Sequence, residues 1–183
     1  RPRQVAGCVD DLVRVDGMDA CAAPAGSQDA KLLAFFSKSF TRDLEQAPEF
    51  MTQIGMKKRY GERNDYSDAF AQAQHRDRLA DLAFMRGEID RAALSESMRV
   101  SYDVFLFRSE LAVANHPYRH HNYDVSHFGG PHQNVPNLLI NQHRVDDVSD
   151  AEAYIARIAA TDRLIDQTID FMREQQIRGV TLP

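Results

Sequence analysis

Apolar residues recur at helical spacing along most of this chain, and nowhere do they alternate. From Asp29 the run DAKLLAFFSKSFTRDLEQA sets Leu32, Leu33, Phe36, Phe40 and Leu44 three or four residues apart, which is one face of a helix. Asp29 stands where a cap belongs, and Pro48 stands as a stop. PEFMTQIGM then reads as a short connection with room for one helical turn. A second run follows Ser67, with Phe70, Leu79, Leu82, Met85 and Ile89 as its apolar members. A third spans Leu94 to Asn115. Leu94, Met98, Tyr102, Phe105 and Leu111 share its main stripe, and Phe107 and Val113 widen it. That width predicts a helix buried on more than one side. His116-Pro117 ends it, because proline disfavours helix at the residue before it. Ser149 with Glu152 three residues on forms a capping-box pattern that opens a last helical stretch. Thr161-Asp162 interrupts that stretch, and Gly179 is its natural stop. With no alternating β-branched run and no Asn-Gly or Asp-Gly hairpin, the expected fold is all-α. It has four to five amphipathic helices, mostly antiparallel, and one long loop rich in His, Gly and Pro.

The 183 residues are 43% hydrophobic and 27% charged, enough for one domain with a core of its own. The expected domain is 29–183. Residues 1–28 read as a leader or linker, since AAPAGSQ has no apolar period. Val5-Ala6-Gly7-Cys8 is similar to a bacterial lipoprotein cleavage site, but only Arg1-Pro2-Arg3-Gln4 precedes it. A lipid at Cys8 is the one membrane attachment it offers, and with it a periplasmic or extracytoplasmic location. Cys8 and Cys21 form one disulfide in an oxidising compartment or stay free. A net charge of −5 argues against generic nucleic-acid binding. The single basic run, Lys57-Lys58-Arg59 with Arg63, reads as a solvated turn, and Asp146-Asp147 as solvated acids before a cap.

Chemistry concentrates in residues 116–132, HPYRHHNYDVSHFGGPH. His116, His120, His121, His127 and His132 fall there, His143 follows, and His75 lies apart on the wetter side of its helix. A helical zinc site needs two imidazoles on one face with a glutamate beside the bound water, as in H-E-x-x-H. His116 and His120 have the separation, but Pro117 follows the first, and Tyr118 and Arg119 fill the space between. No G-x-S-x-G elbow, catalytic cysteine or phosphate loop is present. Ser126 beside His127 is adjacency in sequence, not a nucleophile with its base. The residues therefore assign no catalytic group and no metal ligand.

The order of several segments carries a resemblance. Pro48-Glu49 with Ile54-Gly55, Gly130 through Val135-Pro136 to Leu139, the run Asp150 to Arg157, and Gly179 to Pro183 follow one another as in the N-terminal part of the bacterial domain-of-unknown-function 885 family. That family resembles zinc metallopeptidases of the H-E-x-x-H type, helical and two-lobed around a peptide channel. The resemblance implies a peptide substrate, a zinc ion held by a C-terminal lobe past Pro183, and no zinc ligand or catalytic glutamate here. It also implies that His120, His121, His127 and His132 contact substrate, while Gly129, Gly130 and Pro136 shape the backbone. The competing expectation is a self-contained helical module that binds a ligand or metal through the histidine loop.

Overall fold

The computed structural model describes residues 27–123, 125–127 and 129–180. Most of the 1–28 leader, with Cys8 and Cys21, lies outside these residues. The described chain is all-helical, with one isolated bridge, Ser126 to Gly129, as its only extended pairing. Seven α-helices are present among the described residues: α1 Gln28–Glu45, α2 Pro48–Gln53, α3 Asp68–Glu88, α4 Glu96–Asn115, α5 Pro131–Asn137, α6 Val148–Ala159 and α7 Thr161–Ile177. The count exceeds the four to five expected because α2 and α5 are too short to show a period, and the break at Thr161 makes two helices of one.

Caps explain most boundaries. The hydroxyl of Ser27, not Asp29, accepts from the Ala30 amide at 3.1 Å and opens α1. Ser67 does the same for Phe70 in α3 at 3.2 Å. Pro48 does not end α1; it is the first residue of α2, where its missing N–H costs nothing. The α6 cap is Asp147, whose carboxylate accepts from the Asp150 amide at 2.9 Å, so the Ser149 capping box does not form. Past α7, Gly179 takes φ +74°, and the Val180 amide reaches the Gln175 carbonyl at 2.9 Å, a left-handed stop.

Helices α1, α3 and α4 form the first half of the core. Leu32, Phe35, Met85, Ile89, Leu94, Met98 and Tyr102 are buried together. Phe35 stacks on Phe84 at 4.7 Å and meets Phe105 edge-on at 5.3 Å. Cross-links from Tyr102 to Met85, His116 to Gln72 and Arg119 to Asp68 show α4 and its continuation running antiparallel to α3. Between α1 and α3, Arg42 grips buried Asp81 through two bonds, 2.9 and 2.7 Å. The expectation that α4 is buried on several sides fails. Val100, Val104, Phe107 and Leu111 are 60%, 52%, 65% and 48% exposed and line one outer face. Among the described residues only one side of α4 finds neighbours, so its second apolar stripe is left uncovered by them.

The second half of the core is organised by Arg157, which is fully buried. Its guanidinium donates to the Glu62 carbonyl, the Pro48 carbonyl, Thr52 Oγ1 and His143 Nδ1, at 2.6–3.2 Å. Arg63, expected in a solvated turn, is buried beside it and reaches Glu49, Thr161 and the Arg157 carbonyl. The rest of that basic run is paired: Lys57 with Asp146 and Asp150, Lys58 with Glu45, Arg59 with Glu62. The acids thought solvated therefore have duties, Asp146 in an ion pair and Asp147 in a cap. Gly61 lets this turn lie on α6, since a Cβ there would stand 3.3 Å from that of Ala156.

Helical turns take up both ends of the expected His/Gly/Pro-rich loop. His116–His121 forms a 3₁₀ turn that prolongs α4 past Pro117, Pro131–Asn137 is α5, and Leu138–Gln142 is a π turn. Proline is tolerated in the first turn of a helix, so Pro117 falls in a helical turn where the sequence reads as a break, and Pro131 opens α5. Pro136 lies inside α5 and lacks the N–H that the regular ladder needs, and the wider π turn follows directly. Gly130 precedes α5 at φ +143°, a conformation open in practice only to glycine.

Candidate functional site

His120 is the buried histidine of the 116–132 segment. The 3₁₀ turn carries it inward, and α7 fixes it: Gln175 Nε2 donates to the carbonyls of His120, at 3.0 Å, and of Asn122. The imidazole is 2% exposed and lies against the ring of Phe171, 4.9 Å away and tilted 27°. Neither ring nitrogen has a hydrogen-bond partner among the described residues. Nε2 is 3.5 Å from Asp68 Oδ1, a contact that becomes an ion pair only if the ring is protonated and that is too poorly formed to be a hydrogen bond. The same Asp68 oxygen accepts from Arg119 Nε at 2.7 Å, which holds the carboxyl below its usual range. Burial, with Arg119 and Arg178 assisting, pulls the His120 pKa below its ordinary value, in favour of the neutral ring. Leaving a buried polar group unpaired costs about 1–3 kcal/mol, so such groups are rare and ask for a reason.

His120 floors a hollow of ≈ 150 Å³, also lined by Ser67, Asp68, Gln167, Asp170, Phe171 and Glu174. Spacings of three and four along α7 put Gln167, Asp170, Phe171 and Glu174 on one face. On the other side of Phe171 a second hollow, ≈ 260 Å³, is lined by Tyr66, Pro131, Asn134 and Thr168. The arrangement can bind a polar group and hold it against an aromatic ring. Its chain atoms contain no nucleophile with an attendant base.

The structure does not gather the other expected substrate residues here. His121, His127 and His132 are exposed, and none lines the His120 hollow. His121 meets Tyr118 edge-on, and the His127 carbonyl accepts from Gln133. Gly129 pairs with Ser126, giving the backbone link between His127 and α5. His75 is half-buried, not a plain surface residue. It stacks on His116 at 3.9 Å in a third hollow, ≈ 310 Å³, that Asp43, Asp77, Arg78 and Arg119 also line. Nothing in the sequence marks Asp68, Asp170, Phe171 and Glu174 for this hollow. The acidic i, i+4 pair on α7 was visible, but only folding sets it against His120.

Among the described residues, no group of three or more His, Cys, Asp or Glu side chains is placed to hold a metal ion. Also among them, no helix is long and apolar enough to cross a membrane. The all-helical chain matches the family model described as Bacterial protein of unknown function (DUF885) over residues 48–183. The chain belongs to that family. No curated protein and no solved structure matches it.

Proposed function

We propose that this chain is the N-terminal helical part of a zinc-metallopeptidase-like protein, and that its contribution is to contact peptide at the His120 hollow. The observation that carries the reading is the buried imidazole with two unpartnered nitrogens at the floor of a polar-lined recess. A stable chain keeps such a group at a cost of about 1–3 kcal/mol when something outside the fold completes it. Two features support the larger body. The order of the matched segments resembles the family's N-terminal part, and the exposed apolar stripe on α4 is the kind of surface that another lobe covers. The described residues do not form a zinc set, so no hydrolytic step is assigned to them. In this reading zinc and its H-E-x-x-H ligands belong to the C-terminal lobe, and a lipid at Cys8 would hold the assembly at a membrane outside the cytoplasm.

Titrating the ¹³C-labelled chain with short unstructured peptides tests the binding role. Saturable shifts of the His120 ring and Phe171 signals are expected, with His121 and His132 unmoved. A folded chain whose His120 signals ignore every peptide would end the proposal. Stoichiometric zinc or nickel in the purified protein would instead favour the self-contained metal module. The gene downstream of Pro183 is expected to encode H-E-x-x-H in frame.

A further inference from the structure

The lining of the His120 hollow also says what kind of peptide group would enter it. Three of its side chains are carboxylates, Asp68, Asp170 and Glu174, and none is a lysine or arginine. Its aromatic wall is Phe171, whose ring faces both this hollow and its neighbour. Its floor is an imidazole that has no partner of its own. An anion would meet carboxylates with no cation to receive it. An apolar side chain would strip water from those carboxylates without replacing it. A metal ion lacks its third donor among the described residues. An organic cation satisfies every wall: carboxylates pair with its charge, and the ring of Phe171 attracts it through the aromatic quadrupole.

The carboxylates are not equally available. Asp68 is already held by Arg119 at 2.7 Å. Asp170 pairs with Arg173 at 3.0 Å, but both side chains are about 70% exposed in water (73% and 70%). Glu174 and Arg178 stand 3.8 Å apart, each about half exposed (50% and 48%). Exposed pairs of that kind hold weakly, so a cation entering the hollow can compete for Asp170 and Glu174. The volume, ≈ 150 Å³, admits a charged head with its last methylenes, and the adjoining ≈ 260 Å³ across Phe171 leaves space for the residue beside it.

We propose that the His120 hollow is a subsite for the ammonium or guanidinium head of a basic side chain, held by Asp170 and Glu174 against Phe171. The inference rests on the peptide-contact reading and adds the charge of the residue recognised. N-acetyl-lysine amide and its neutral counterpart N-acetyl-norleucine amide are the probes, titrated separately into the labelled full chain. The lysine compound is expected to shift the His120 and Phe171 signals saturably, at a concentration at least tenfold lower than the norleucine compound. The double substitution D170N/E174Q is expected to abolish that difference while the amide spectrum stays folded. Equal response to the two probes, or a lysine preference that survives D170N/E174Q, would overturn the cation subsite and leave peptide contact standing. A response to longer neutral peptides but not to the lysine compound would do the same. Silence toward every probe and every peptide would remove both readings.

Discussion

His120 and His143 are both buried imidazoles, 2% and 6% exposed, and burial lowers the pKa of each. They differ in what their nitrogens touch. His143 Nδ1 accepts from Arg157 at 3.0 Å, and its Nε2 donates to the Asp150 carbonyl at 3.1 Å. Tyr60 stacks on it at 4.0 Å, and Tyr154 meets its edge. His143 is thus a finished component of the Arg157 hub. Among the described residues, the His120 ring has one aromatic contact, one distant carboxylate and no hydrogen bond. Equal burial with unequal satisfaction separates a ring whose hydrogen bonds the fold completes from one whose hydrogen bonds it does not.

The most severe break should come at the hub itself. Arg157→Met removes four donated bonds and leaves Thr52, His143 and two carbonyls without them. A loss of about 3–4 kcal/mol is expected, read from the urea midpoint. The histidine pair sharpens the comparison. His143→Phe orphans one Arg157 donor and removes the bond from Nε2 to the Asp150 carbonyl, and should cost about 2–3 kcal/mol. His120→Phe replaces an unpaired polar ring by an apolar one of similar shape, and should change stability by less than about 1 kcal/mol in either direction. If the two substitutions cost the same, His120 has a structural duty and the contrast collapses.

Acid offers a smaller and graded test. For both histidines the folded value lies below the unfolded one, near 6.5. Below that pH the unfolded chain binds more protons than the folded one, so stability declines as pH falls. Thermal melts from pH 7 to pH 5 should show that decline, with a shallower slope in His120→Phe because one contributor is gone. Asp68, whose pKa Arg119 lowers, acts in the opposite region: its stabilisation is present above the ordinary carboxylate value and fades only in stronger acid. The smallest effect belongs to the outer face of α4. Phe107 is 65% exposed, so Phe107→Ser should leave the melting temperature within error while reducing binding of an apolar dye. A clear loss of stability there would mean the stripe already has a partner.

Much of the helical scaffold was legible because amphipathic spacing and caps are local. Ser67, Thr161 and Gly179 mark boundaries that need no distant neighbour, and the paired spacing of Leu32 with Phe36 sets which face of α1 turns inward. What failed was whatever depended on company. Pro48 reads as a stop and starts a helix, since a proline's effect depends on whether it falls at the first turn. Arg63 reads as solvated and is buried, because Glu49, Thr161 and the Arg157 carbonyl reach it from far along the chain. Phe107 reads as core and is 65% exposed, because no described element covers the outer side of α4.

By itself, then, the sequence determined that this protein is helical, that its imidazoles cluster after residue 115, and that it shares the segment order of its family. Periodicity and composition are properties of neighbours along the chain. Only the tertiary structure decided which histidine is satisfied and which is not, since that depends on Arg157 reaching one ring and no donor or acceptor reaching the other. Hydrogen-bond partners here are drawn from residues up to 109 positions apart, a distance across which sequence spacing carries no geometry.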